Sequence, residues 1–235
     1  MSKAEPHAGH RSVSGGLARA SVFGINDGLV SNVSLILGFA ASGVDTSVVQ
    51  LAGIAGAIAG GISMAAGEWI SVTAQNDLIK REFEVEKREH IHNREHETEE
   101  LAEHYMEQGL DADLATLVAE KVMANPETAL EVHTRQELGV DPHQLPSPFW
   151  AAGLSFICFM FGAVLPIIPW FLTSGVAAAV ISVSVGVIAA AVVGALIGRF
   201  AERSIPASVI RQVGIVLVAC AVTFTIGQIV GVNLD

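Results

Sequence analysis

Five long apolar runs constrain this chain more than any other feature. They cover approximately Leu17–Ala41, Val48–Val72, Phe149–Leu172, Gly175–Arg199 and Ala207–Val232. Each is long enough to cross a hydrocarbon core of about 30 Å, which takes roughly 20 helical residues. None alternates with period two, and a membrane-spanning strand survives only in a closed barrel, so the runs are expected to be helices. The short links SGVDTS and TSG make neighbouring helices antiparallel. The chain is 51% hydrophobic, with a mean hydropathy of +0.51 and 16% charged residues, against about 25% charged in a soluble domain. The fold class is therefore an all-α membrane protein: five transmembrane helices with a helical cytoplasmic insert between the second and third.

Charge is confined to that insert. Residues 73–148 hold 18 Asp/Glu and 7 Lys/Arg, while the remaining residues hold 6 of each. All of the formal net charge of −11 thus lies between the second and third runs, which argues against nucleic acid as a partner and for cations. With five spans, all 13 basic residues fall on one side of the membrane. The positive-inside rule then makes the N-terminus and the insert cytoplasmic. The expected divisions are a cytoplasmic tail (1–16), two spans (17–72), a helical metal-binding insert (73–148) and three spans (149–235). The N-terminal stretch lacks the apolar core and cleavage site of a signal peptide, so the first run is expected to stay in the membrane. Cys158 and Cys220 lie inside apolar runs and read as small buried hydrophobes, not a disulfide framework.

Within the insert, Lys80–Gln108 carries ten Glu and four His in 29 residues. The second span has no breaker at its inner end and is expected to continue into the cytosol as helix. Gly109 fits a helix C-terminus, Asp111 an N-cap and Pro126 a first helical position, giving three or four helices. Their apolar positions (Leu78, Phe83, Leu101, Tyr105, Leu114, Leu117, Val118, Val122, Leu130) are too few for an independent core, so a second subunit, a metal or both should complete it. Glu82, Glu86 and Glu89 share one helical face; His96, Glu100, Glu103 and Glu107 share another. Stacked like charges destabilise a helix unless cations neutralise them. Glu89 and His92 have the Glu-x-x-His spacing of di-iron bundles. A solvated acidic face is the plainer alternative.

Three residues in the apolar runs stand out. Asp27 lies about ten residues into the first run, with Ser31 and Ser34 on its face and Asn26 and Asn32 on the flanks; it is either a pathway carboxylate or a structural hydrogen-bonding group. Met64 is either core or a thioether ligand for a softer metal. Glu68, one turn on, stands near the cytoplasmic end of the second run. In the fourth run Gly186, Ala190, Gly194 and Gly198 form a small-residue stripe, which suits packing within the bundle or a dimer seam.

In order along the chain, FGINDGLVSNVSLILGFA, GGISMAAGEWISVTAQND, the Glu-rich insert ending in Glu137-Leu138-Gly139, and GAVLPIIPW resemble the motifs of the vacuolar iron transporter family of ferrous-iron exporters. The resemblance covers nearly the whole chain. It implies a homodimer of five-helix subunits with the ion path between them, lined by Asp27 and Met64. It further implies metal ligands at Glu86 and Glu89, Glu97 and Glu100, and Glu137. Three departures accompany it. Gly56 stands where an acidic residue is usual, His133-Thr134 replaces a methionine pair so that His133 becomes a candidate ligand, and His92-Asn93-Arg94 replaces a Pro-Glu-Gly break, so the hinge is expected elsewhere or absent.

The expected function is transport of Fe²⁺, with Mn²⁺, Co²⁺ and Zn²⁺ as further candidates, out of the cytosol by proton antiport. The metal is substrate, and no prosthetic group or enzymatic activity is expected. The alternatives are a membrane-anchored di-metal oxidase and a metal-sensing dimerisation module. A bacterial inner membrane is the expected location, or a vacuolar membrane in a eukaryote.

Overall fold

The structure, a computed structural model, describes residues 16–138 and 145–232. Its described elements are all helical: α1 (Gly16–Ala41), α2 (Thr46–His92), α3 (Arg94–Glu107), α4 (Ala112–Met123), α5 (Pro126–Leu138), α6 (Pro148–Val164), α7 (Pro169–Leu172), α8 (Gly175–Phe200) and α9 (Ile205–Val232). Four of these, α1, α2, α8 and α9, are long and apolar enough to cross a membrane. Helix is the form in which such a segment satisfies its own N–H and C=O groups without water. The chain divides into two compact units, one within Met1–Trp69 and Phe149–Asp235, the other Ile70–Pro148.

The third apolar run differs from the expected single span. It breaks after α6, whose 17 residues reach only about 25 Å at 1.5 Å per residue. Pro166 and Pro169 cannot donate backbone hydrogen bonds, and proline interrupts a helix interior. The chain passes through turns, with Ile167 N–H donating to Val164 O at 3.0 Å and Trp170 N–H to Ile167 O at 3.0 Å, before the single turn of α7.

In the apolar unit α1 is central. Of its apolar stretch 39% is buried, against 22% or less for each of the other three long helices. Glycine permits this. A methyl group on Gly28 would lie 2.9 Å from the carbonyl carbon of Phe159 on α6, and one on Gly162 would lie 2.9 Å from Leu29 N. On the other side, Gly227 of α9 meets the Gly38 carbonyl just as closely. Polar ties reinforce the apolar packing: Asn32 Nδ2 donates to Ala163 O at 2.6 Å, and Gln212 Nε2 donates to Asn26 Oδ1. The small-residue stripe of α8 is used inside the subunit. Gly186 receives Val33 of α1, and Gly194 and Gly198 receive Ser208 and Ile205 of α9. Ala178, Ser182, Gly186, Ala190, Gly194 and Gly198 are all buried, so the bundle-packing reading of that stripe holds.

In the other unit, α3 ends as expected at Gly109, whose φ of 100° is left-handed. Gly109 N–H donates to Met106 O at 2.9 Å and Leu110 N–H to Tyr105 O at 3.1 Å, the paired bonds of a Schellman motif. Asp111 precedes α4 with extended backbone, and Pro126 opens α5. The core is smaller-grained than the sequence suggests: Leu101, Ala102, Ala119, Met123 and Ala129 form it, whereas Leu78, Leu114 and Leu117 are at least half exposed. The expected lead through Asp141-Pro142 lies outside the described residues.

Candidate metal centre

Along the insert part of α2 the inward positions are Val72, Asn76, Ile79 and Phe83, spaced alternately by four and three residues. This spacing is the stripe a helix presents to a core. The next two positions in the series are Glu86 and His90, so the stripe passes from three apolar side chains and Asn76 to two potential metal ligands without leaving its face. Glu86 is 6% exposed, and His90 Nε2 lies 3.4 Å from Glu86 Oε1.

The third member comes from across a break in the chain. Asn93, with φ −126° and ψ 31°, interrupts the helix between His92 and Arg94, at the place where the hinge was expected to be shifted or missing. In an uninterrupted helix Glu97 would share the face of Glu86 but lie about 16 Å further along the axis. The break instead changes the course of the chain at the start of α3. Glu97, 2% exposed, joins Glu86 and His90 in a cluster whose ligand atoms all lie within 4.8 Å of one another. Leu101 and Ala102, just beyond, hold α3 in the core, and Arg94 secures its start by donating to Met123 O at the end of α4.

Two buried carboxylates this close repel each other unless a proton or cation intervenes. A transition ion bound at about 2.0–2.2 Å from each donor would draw the three atoms together by side-chain rotation. His90 also lines a cavity of about 400 Å³ with Lys87, Arg94, Met123 and Pro126, so the cluster adjoins open volume.

The sequence-predicted ligands separate into three groups. Glu86 and Glu97 are brought together. Glu89 and Glu100 are exposed and are not in the cluster, as are His96, Glu103 and Glu107. The side chains of His133 and Glu137, on α5, lie outside the described residues. His92 donates to Arg88 O at 2.8 Å through Nδ1, so the Glu89/His92 spacing does not form the centre. His90 was not among the sequence-predicted ligands. Its signal was present in the sequence: it extends the buried four-three stripe by one more step.

In the apolar unit, Asp27 is exposed on α1 and accepts a hydrogen bond from Ser31 Oγ at 3.1 Å. Phe23, Asp27 and Ser31, each four residues apart, form an exposed stripe on α1. Met64 is half-buried against the cluster containing Ile36, Ala57, Phe159 and Ala163, and Glu68 is also half-buried. A side chain at Gly56 would meet Leu35 and, at 3.2 Å, Asn32 Oδ1. The room an acidic residue would need there is taken by leucine.

Known proteins resemble this chain in sequence. A protein of Acanthamoeba castellanii named vacuolar iron transporter is 37% identical over 161 residues, 68% of this chain and 58% of that protein, so the match spans less than two thirds of that relative. Vacuolar iron transporter homolog 1 of Arabidopsis thaliana is 31% identical over 224 residues, 92% of this chain and 84% of its own. Vacuolar iron transporter 1 of the same plant is 27% identical over 225 residues, 95% of this chain and 90% of its own. A sequence model of the VIT family matches residues 18–228, which include Asp27, Met64, Glu86, His90 and Glu97, and the chain belongs to that family.

Proposed function

We propose that this protein is a divalent-metal transporter that moves Fe²⁺ out of the cytosol, capturing the ion on the insert and passing it along Asp27 and Met64. The observation that carries this reading is the buried Glu86/His90/Glu97 cluster in a chain whose relatives are named as iron transporters. Oxygen and imidazole donors suit first-row divalent ions. Glu68, four residues beyond Met64 on α2, is assigned to the same path.

Asp27 supports a homodimer. An ionised carboxylate within an apolar helix needs a partner, a cavity or an ion, and the subunit leaves Asp27 on an uncovered stripe. A second copy would cover that stripe and enclose the path. Five spans, with α6 and α7 together making the third, put all basic residues on the cytoplasmic side. Proton antiport is the natural coupling, since the same carboxylates bind either a metal or protons. The membrane is a bacterial inner membrane in this reading, or a vacuolar one in a eukaryote.

The test is Fe²⁺ uptake into proteoliposomes across an imposed pH gradient, with Mn²⁺, Co²⁺ and Zn²⁺ as competitors. Wild-type protein should accumulate metal and dissipate the gradient, and Asp27→Ala should not. An Asp27→Ala protein as active as wild type removes Asp27 from the path; no flux by wild type with any of the four metals removes the transport reading.

A further inference from the structure

We propose that His90 is a specificity-determining ligand: its imidazole makes the Glu86/His90/Glu97 centre select borderline transition ions over Mg²⁺ and Ca²⁺. This deepens the capture step of the proposed function and rests on that reading only in assigning metal to the insert.

Among the described insert histidines, the geometry points to His90. His90 Nε2 is 3.4 Å from Glu86 Oε1, and its ligand atom lies within 4.8 Å of that of Glu97. His92 and His96 are exposed, and His104 pairs with Gln108 at 2.8 Å through Nε2. Two carboxylates alone would form an oxygen site, the donor set preferred by Mg²⁺, Ca²⁺ and Mn²⁺; adding imidazole moves the preference to Fe²⁺, Co²⁺ and Zn²⁺. In a cell where Mg²⁺ is abundant, an oxygen-only dock would fill with the wrong ion. A nitrogen donor supplies the discrimination before any ion reaches the membrane.

Two further features fit this role. The side chains of Glu86 and His90 are only 8% and 10% exposed, so the ion must shed much of its water, which Mg²⁺ does reluctantly. His90 also forms part of the wall of the 400 Å³ cavity. A three-donor centre leaves a transition ion short of its usual four or more ligands, and the cavity can hold the waters that complete its shell and exchange as it moves on.

The experiment is Co²⁺ titration of the full chain in detergent, followed by the visible absorption of bound Co²⁺, with and without excess Mg²⁺. His90→Gln should weaken Co²⁺ binding at least about tenfold, the lower end of what loss of even an outer-shell metal partner costs. His90→Glu restores a donor, so it should still bind a cation, but with Mg²⁺ and Ca²⁺ now competing effectively against Co²⁺. His96→Gln should match wild type. The proposal is overturned if His90→Glu keeps the wild-type preference for Co²⁺ over Mg²⁺, or if His96→Gln rather than His90→Gln loses the Co²⁺ spectrum. Thermal unfolding of the metal-free variants separates ligand loss from misfolding, and the His90→Glu preference remains decisive if His90→Gln does not fold. Because binding is read without flux, intact Co²⁺ selectivity in a protein that transports nothing would sink the transport reading and leave this one standing.

Discussion

Gly28 of α1 lies so close to Phe159 of α6 that any side chain at this position would strike the Phe159 carbonyl. The neighbouring Asp27 is consequently turned to a side of α1 that is exposed among the described residues. The Asp-Gly pair thus works as a unit, in which the glycine seats the helix and the seating decides where the carboxylate faces.

Gly28→Ala should therefore be disruptive although the added group is one methyl. The obstructing atoms are backbone and cannot rotate away, so the cost should reach or exceed the 1–3 kcal/mol typical of overpacking. Gly162→Ala, across the same contact, should behave alike. Gly153→Ala, where an added methyl meets nothing within 4 Å, is the control. Thermal unfolding in detergent should show a clear drop for the first two and little change for the third.

Individual glutamates of the insert should differ sharply in metal binding. Glu97→Gln replaces a buried member of the cluster by a neutral, weaker donor and should reduce Co²⁺ or Zn²⁺ affinity at least about tenfold, by analogy with the loss of second-shell support. Glu100→Gln and Glu89→Gln alter exposed side chains outside the cluster and should stay within about twofold, as weak screened charges do. Equal losses in all three would mean a diffuse acidic surface in place of a centre.

Leu101 is 1% exposed in a core otherwise built largely of alanine and one methionine. Leu101→Ala should cost about 2–5 kcal/mol, felt by the insert. Excess divalent metal should recover part of that loss if it binds the folded insert alone. Hydrogen exchange across residues 94–123, with and without Co²⁺, reads both effects.

Glu202 closes α8 with φ 51°, where Arg203 N–H donates to Gly198 O at 2.9 Å. A left-handed conformation costs a residue with a Cβ roughly 1–2 kcal/mol, and glycine adopts it freely. Glu202→Gly should raise stability by about 0.5–1 kcal/mol after its own entropy cost is deducted, visible as a higher unfolding temperature with transport unchanged.

Much of the architecture is legible in the sequence because hydrocarbon imposes a simple rule: long apolar runs must be helices, and four of them stand as such. The third run was less legible, since hydropathy counts Pro166 and Pro169 among apolar neighbours while their missing N–H groups break the helix there. Gly109, Asp111 and Pro126 marked helix ends correctly because caps depend on local backbone geometry. The insert's core was misjudged where leucine was weighted over alanine. Leu114 and Leu117 lie outward, while Ala119 and Ala129 fill the close helix contacts.

The sequence by itself determined the helical class, the segregation of acidic charge into the insert and the presence of Asp27 in an apolar helix, because these depend on composition and local periodicity. It could not choose among ten glutamates within 29 residues, since each offers the same carboxylate. The tertiary structure made that choice. The break at Asn93 brings Glu97 back to Glu86 and His90, which a continuous helix would hold about 16 Å and about 10 Å away along its axis. Burial then separates these three from their exposed neighbours, and a metal centre requires donors to converge in space, which their order along the chain does not specify.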